Sequence, residues 1–168
     1  MDDIFRILVQ FLHVFTGVLW LGGGLYTLFV QTPAFMAAPP QARGPVLGQV
    51  VPRQVTYLLR LGEITIATGI LNFFATGRGR EIENILGSRW AIAIVIGALL
   101  AIALLALGHA VIKPSAMRLL AVGPKAAAGD AAAGAEAGAI IARLRTVGYA
   151  QIVLGVAIIL AMVTARLS

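Results

Sequence analysis

The sequence predicts an all-α integral membrane protein, built as a bundle of four transmembrane helices. Of its 168 residues, 60% are apolar and only 12% are charged. Soluble domains average about 45–50% apolar and about 25% charged residues, so this composition excludes an ordinary soluble globule. Four apolar segments, at about residues 7–30, 54–74, 90–112 and 146–165, each reach the ~20 residues that a helix needs to cross a bilayer. The whole chain, 1–168, is therefore expected to form a single transmembrane domain.

The first apolar segment is expected to be a retained helix and not a signal peptide. It is longer than the apolar run of about 7–15 residues in a signal peptide, and Asp2 and Asp3 precede it. Helix breakers mark the connections: the prolines between 32 and 52, the glycines from 77 to 87, and Lys113-Pro114 at the end of the third helix. An Ala/Gly-rich stretch at about 121–139 predicts a flexible loop or a weak helix.

Composition also excludes several kinds of site and partner. The chain has no cysteine, which excludes disulfides, thiolate zinc sites and cysteine-held iron–sulfur clusters. The net charge of +6 does not indicate a nucleic-acid partner, because the basic residues flank the apolar runs. The expected partner is the lipid bilayer, as a multi-pass protein of a bacterial-type cell inner membrane. The side of the membrane that carries the first and third connections has seven basic residues, and the side that carries the termini has five. This excess favours a cytoplasmic location for the first and third connections.

Small and polar residues form a stripe along one face of the first span. They recur every three or four positions, which places them on one side of a helix: Gln10, His13, Gly17, Trp20, Gly24, Thr27 and Gln31. Polar groups bare to hydrocarbon cost several kcal/mol, so this face is expected to turn into the bundle. The glycines would admit a neighbouring helix or the flat edge of a macrocycle, and Trp20 would pack in the bundle or against a bound ring.

The remaining ionisable residues inside the spans are Arg60, Glu63 and His109. Arg60 and Glu63 stand three residues apart, where they can neutralise each other. A structural pair and a ligand or proton role both remain open, since ionisable residues inside a membrane are functional by default. Counted at 1.5 Å per residue, Glu63 lies near the depth of His13, whereas His13 and His109 differ in depth by about 20 Å. These two histidines are therefore not expected to share one iron.

The stretch from His13 to Gly22, read as H-x6-W-x-G, resembles the first helix of a superfamily of small membrane modules. The superfamily includes copper-resistance D domains, membrane protoporphyrinogen oxidases and the N-terminal membrane region of urate oxidases. Residues 26–35 (YTLFVQTPAF), and Arg60-Leu61-Gly62 followed by Thr65 and 69–71, are most similar to the urate oxidase branch. The resemblance covers about residues 8–75. It implies that His13 contacts haem or metal.

Two departures from the superfamily pattern bear on the reaction. The protoporphyrinogen oxidases carry a lysine early in the third helix, and residues 90–94 of this chain contain none. The chain also lacks the cysteines that attach a c-type haem, so the fused cytochrome of the urate oxidases has no counterpart here. These departures argue against oxidation of protoporphyrinogen and against a covalently attached haem.

The functional prediction is a haem b protein that transfers electrons, alone, as a homo-oligomer or with a redox partner subunit. His13 is the predicted iron ligand of one haem, and His109 would be the iron ligand of a second haem nearer the other face of the membrane, or of none. Arg60 would pair with a haem propionate. The full set of predicted cofactor-binding residues is His13, Gly17, Trp20, Arg60, Glu63 and His109. Three alternatives remain open. They are a membrane oxidase of a porphyrinogen-like substrate with His13 and Glu63 in proton transfer, a copper-handling protein, and a non-catalytic anchor or assembly subunit.

Overall fold

A computed structural model describes residues 3–75, 78, 83 and 85–168 of the chain. The described residues are almost entirely helical and contain no strand, which confirms the all-α class. The α-helices are α1 (Asp3–Tyr26), α2 (Thr32–Ala37), α3 (Pro40–Ala75), α4 (Arg89–Leu107), α5 (Lys113–Ala127) and α6 (Ala131–Arg166). Two π-helical turns, Thr27–Gln31 and Gly108–Ile112, join α1 to α2 and α4 to α5, and a 3₁₀ turn at Ile85–Gly87 precedes α4.

Four continuous helical units are long and apolar enough to cross a membrane, which confirms a multi-pass protein. They are Asp3–Ala37, Ala42–Ala75, Arg89–Ala127 and Ala131–Arg166, with 35, 34, 39 and 36 residues. Successive units run antiparallel, so the ends near residues 3, 75, 89 and 166 share one side of the bundle. We call this the termini side, and the side of the turns at 38–39 and 128–130 the loop side.

The first and third helical units are longer than predicted, because proline does not break them. Pro33 and Pro114 are the second residues of α2 and α5, and both lie directly after π-helical turns. The residue before each proline makes the hydrogen bond that ends the π-helical turn. The Thr32 N–H donates to the Thr27 carbonyl, and the Lys113 N–H donates to the Gly108 carbonyl. The predicted end of the third helix at Lys113-Pro114 is therefore wrong.

The second helical unit also continues through its prolines. Pro45 and Pro52 lie inside α3, so the long connection predicted between the first two spans is reduced to Ala38 and Pro39. Of the second predicted connection, Gly77, Gly79 and Arg80 lie outside the described residues.

The Ala/Gly-rich segment is helical on both sides of a short turn. Alanine has the highest helix propensity of any residue, and it dominates the end of α5 and the start of α6. The turn itself contains Gly129 with φ of 92°, a conformation that favours glycine. Asp130 then caps α6, because its carboxylate accepts a hydrogen bond from the Ala133 N–H at 3.0 Å. Of the two alternatives predicted for 121–139, a flexible loop or a weak helix, the structure shows the helix, apart from these turn residues.

Side-chain contacts between the helices place all three tyrosines at one level. Leu28 packs on Gly148 and Leu21 on Gly155, which sets α6 against α1, and Leu58 beside Gly23 sets α3 against α1. By this register the tyrosines lie within about one helical turn of each other, and each is more than half exposed: Tyr26, Tyr57 and Tyr149. Exposed tyrosines at one level are typical of a membrane–water interface. We call this set the tyrosine belt.

We place the termini-side boundary of the membrane at the start of α4, where Arg89 is exposed and precedes the buried Trp90. Leu105 packs against Gly62, and this contact places the tyrosine belt near residue 110 of the helix that contains Trp90. The two levels are therefore about 20 residues apart, which corresponds to ~30 Å, the thickness of a hydrocarbon core. We place the membrane between these levels, so the long helices project beyond it on the loop side.

Candidate functional site

His13 lies between α1 and α3 and is bonded to the main chain of α3. Its Nδ1 atom is 2.9 Å from the carbonyl oxygen of Thr65. The Cε1 edge of the ring rests against Gly69, where a Cβ atom would come within 2.9 Å of Cε1. Because a carbonyl oxygen only accepts, Nδ1 carries the hydrogen in this contact. In the neutral ring, Nε2 therefore holds the lone pair.

Buried threonine hydroxyls surround the acceptor of this hydrogen bond. The Thr65 hydroxyl lies 2.9 Å from that of Thr16 and 2.7 Å from the Leu61 carbonyl oxygen. The Thr68 hydroxyl is 3.1 Å from the same Thr65 carbonyl that His13 contacts. Thr16, Thr65 and Thr68 are all buried, so these contacts connect α1 to α3 away from lipid. The acceptor carbonyl is thus held by a regular helix and by packed neighbours, which fixes the orientation of the imidazole.

Trp20 is part of the core of the bundle. Its indole packs against Gly62, where a Cβ atom would lie 2.7 Å from Cε2, and it clusters with Leu61 and Leu104. Of the two environments that the sequence left open, packing within the bundle is the one observed. Gly17 also serves helix packing, since its position faces the Thr65 methyl group at 3.5 Å. That Gly17 and Trp20 contact a cofactor stays a prediction.

The polar stripe of α1 faces α3 along most of its length. At its loop-side end, the Gln54 amide of α3 donates to the Thr27 hydroxyl at 2.6 Å and also contacts the Gln31 side-chain oxygen. Gln10 is exposed, and a Cβ at Gly24 would meet nothing within 4 Å, so these two members do not contact α3 in the predicted way. The stripe is therefore mainly a helix-packing seam, with His13 as its ionisable member.

Arg60, Glu63 and His109 meet on one surface near the tyrosine belt. The Glu63 carboxylate lies 2.8 Å from Arg60 Nη1 and 3.2 Å from His109 Nε2. The side chains are 73% exposed for Arg60, 35% for Glu63 and 44% for His109, so the cluster opens to the outside of the bundle. The predicted Arg60–Glu63 pair is confirmed. The histidine that contacts Glu63 is His109. The depth estimate from the sequence had instead placed Glu63 at the level of His13.

His109 lies within the π-helical turn between α4 and α5, beside Glu63 of α3. The sequence placed His109 one turn before a helix end, yet α4 continues through Gly108–Ile112 into α5. Gly108 allows close approach to α3, because a Cβ there would lie 2.7 Å from Leu59 Cδ2. His109 is therefore held beside α3 by a continuous helix.

His13 and His109 belong to two separate places along α3. His13 lies at the level of Gly69 and Gly108 at the level of Leu59, a difference of about ten residues or ~15 Å along the helix. This separation agrees with the expectation that the two imidazoles do not share an iron. Among residues 3–75, 78, 83 and 85–168, no three His, Asp or Glu side chains converge as a metal site.

Sequence reasoning missed Thr65, Gly69 and Gln54 as partners of the α1 stripe. Thr65 and Gly69 are four residues apart and so share one helical face, which is a usable signal. This pattern identifies Gly69 as a partner of His13 only when the antiparallel register of α1 and α3 is known, because the register places Gly69 opposite the imidazole ring. Comparison of the chain with protein-family models, with curated proteins and with solved structures finds no match.

Proposed function

We propose that the protein is a haem b protein of the membrane, in which His13 supplies an axial ligand to the iron. The observation that supports this is the hydrogen bond from His13 Nδ1 to the Thr65 carbonyl. Metal-binding histidines usually donate their other ring N–H to a carbonyl or a carboxylate, which fixes the tautomer and directs the free nitrogen to the metal. His13 has this arrangement, with Nε2 as the free nitrogen of the neutral ring.

The surroundings of His13 suit a buried, low-dielectric redox centre. His13 lies at the level of Gly69, about eight residues or ~12 Å from the Arg89 and Trp90 boundary. The ring is half-buried, while Gln10, one turn earlier, is exposed. The exposed part of the imidazole therefore lies on the membrane-facing surface of the α1–α3 pair. When bound there, haem would supply one-electron chemistry, and the chain would supply the ligand, the burial and the exclusion of water.

A role as a subunit of a larger assembly is supported by the distance between His13 and the other predicted cofactor-binding residues. Gly17 and Trp20 are occupied by helix packing, and the Arg60, Glu63 and His109 cluster is about 15 Å away along α3. Within the described residues, the exposed side of His13 therefore meets no member of this cluster, and Gln10, one turn earlier, is the exposed polar residue next to it on the α1 stripe. We propose that a second copy or a redox partner subunit covers this side. Electron transfer within such an assembly is the expected activity.

Haem content of a His13→Ala variant tests the proposal. Haem per polypeptide is expected to fall at least tenfold, whereas the matched variant His109→Ala is expected to keep it. Unchanged haem content and spectra in His13→Ala would contradict the proposal and leave the anchor or assembly function. Far-ultraviolet circular dichroism of both variants distinguishes loss of a ligand from loss of the fold.

A second candidate function, an oxidase of a planar porphyrinogen-like substrate, is favoured by the contact between Glu63 and His109. A carboxylate and an imidazole 3.2 Å apart form a pair through which a proton can move. In this case Glu63→Gln should abolish substrate oxidation while leaving haem content unchanged. Retention of oxidation by Glu63→Gln would remove Glu63 from the reaction.

We also propose that the loop side faces the cytoplasm of a bacterial-type cell. Seven basic residues lie beyond the tyrosine belt on that side: Arg43, Arg53, Lys113, Arg118, Lys125, Arg143 and Arg145. Asp130 and Glu136 lie there as well, which leaves a net charge of +5 (7 − 2) for these segments. Lysine and arginine are enriched in cytoplasmic segments of membrane proteins.

A further inference from the structure

Two cavities of opposite character meet at Arg89, on the termini side of the bundle. The first, of about 650 Å³, is polar and is lined by Arg78, Ser88, Arg89 and Ser168 among others. The second, of about 400 Å³, is an apolar groove between α4 and α6. Arg89 lines both. Together they form one continuous amphipathic surface that begins at the membrane boundary and runs into the hydrocarbon.

The groove has the depth of one leaflet of a bilayer. On α4 it runs from Arg89 to Leu100, about 11 residues or ~16 Å, which is half of a hydrocarbon core. Small side chains line its floor, where Ala93 is buried and Ala157 and Ala161 are half-buried. Larger side chains form its walls, with Ile96 and Leu160 exposed to the membrane. A single extended acyl chain matches this narrow apolar shape.

The mouth of the groove carries the charge that an anionic headgroup requires. Arg89 is exposed at the boundary, and guanidinium groups bind phosphate through paired hydrogen bonds. Arg78 lies beside it, with its guanidinium 4.5 Å from the centre of the Trp90 ring. The two guanidinium groups thus lie beside the polar cavity, at the level that we assign to the termini-side boundary of the membrane.

We propose that this surface is a binding site for one anionic phospholipid, with its phosphate on Arg89 and one acyl chain along the α4–α6 groove. Small residues in a membrane groove are also typical of helix packing, which makes a second copy of the chain the competing occupant. The polar cavity at the mouth, with Arg89 exposed in it, favours the lipid, because the phosphate of an anionic headgroup complements the guanidinium charge. The proposal does not depend on haem.

Native mass spectrometry of the full chain, exchanged from detergent into phosphatidylglycerol or phosphatidylcholine, tests the site. The native chain is expected to retain one phosphatidylglycerol and to prefer it over phosphatidylcholine at least tenfold. Arg89→Gln should abolish that preference, whereas Arg6→Gln, a charge control on the same side, should preserve it. Ala157→Leu fills the groove and should weaken retention of both lipids, whereas Ala103→Leu, on an exposed part of α4, should not.

Three results would overturn the proposal. The first is equal loss of preference in Arg89→Gln and Arg6→Gln, which would indicate general surface attraction. The second is unchanged retention in Ala157→Leu. The third is a lipid-free dimer that Ala157→Leu dissociates, which would show that a second copy occupies the groove. Circular dichroism of each variant tests whether the helices are retained. Arg89→Gln tests the headgroup end of the surface, and Ala157→Leu tests the acyl-chain groove.

Discussion

The imidazole of His13 and the main-chain carbonyl of Thr65 are joined by a hydrogen bond of 2.9 Å between Nδ1 and the oxygen. This contact links the first membrane helix to the second and determines which ring nitrogen carries the proton. In the neutral ring, it leaves Nε2 with the lone pair at a half-buried position. The ligand proposal rests on this one relationship.

Gly69→Ala is expected to lower haem content and stability together. The added Cβ would lie 2.9 Å from His13 Cε1 and 3.2 Å from Nδ1, so the ring must move. Overpacking of this kind typically costs about 1–3 kcal/mol. Haem absorbance per polypeptide and the unfolding midpoint in detergent measure the two effects. Gly24→Ala is the matched control, because its Cβ would meet nothing within 4 Å. Equal behaviour of the two variants would contradict the placement of His13.

Trp20→Ala should destabilise the bundle more than truncation of any lipid-facing aromatic residue. Trp20 is 9% exposed and packs on Gly62, whereas Phe15 is 49% exposed on the same helix. Removing a buried aromatic side chain costs about 3–5 kcal/mol. Unfolding in mixed micelles should therefore show a loss of this size for Trp20→Ala and a much smaller one for Phe15→Ala. Similar losses would show that Trp20 is not part of the core.

The contact between Glu63 and His109 should be measurable as a small coupling energy. Hydrogen bonds between membrane helices average about 0.6 kcal/mol in double-mutant cycles. We expect Glu63→Gln and His109→Ala to be non-additive by about this amount in the free energy of unfolding. A coupling of zero would show that the two side chains do not interact. A cycle between Glu63→Gln and His13→Ala serves as the control and should be additive, because these residues have no direct contact in the structure.

Single cysteines report the orientation of the chain, since the native sequence contains none. Lys125 lies beyond the tyrosine belt on the loop side, and Arg6 lies on the termini side. In intact cells, a membrane-impermeant thiol reagent should label Arg6→Cys and not Lys125→Cys. After permeabilisation both should react. The reverse pattern in intact cells would contradict cytoplasmic loops.

The four-helix bundle was predictable because its signals are local. Apolar runs of about 20 residues predict the spans, and the spacing of His13, Gly17 and Trp20 predicts the face of α1 that turns towards α3. Charge spacing alone predicted the pairing of Arg60 with Glu63, since residues three apart on a helix are neighbours.

The lengths of the helices and the partner of Glu63 were not predictable in this way. Pro45 and Pro52 lie inside a helix that the sequence predicted to begin only at about residue 54, and Pro114 follows a π-helical turn that no local sequence pattern predicts. His109 lies within that turn and contacts Glu63. Contacts between helices depend on their register, which single-sequence periodicity does not contain. Gly69 could therefore not be recognised as the residue beneath the imidazole of His13.

The most direct test of the central proposal is the visible absorption spectrum of the purified full chain, oxidised and then reduced, after expression with added haem precursor. We expect a Soret band that shifts on reduction, is lost in His13→Gly and returns when imidazole is added to that variant. Imidazole restores a missing ligand and does not repair a misfolded bundle, so its effect separates the two. A native chain with no Soret band, or a His13→Gly variant with an unchanged spectrum, would contradict iron ligation by His13.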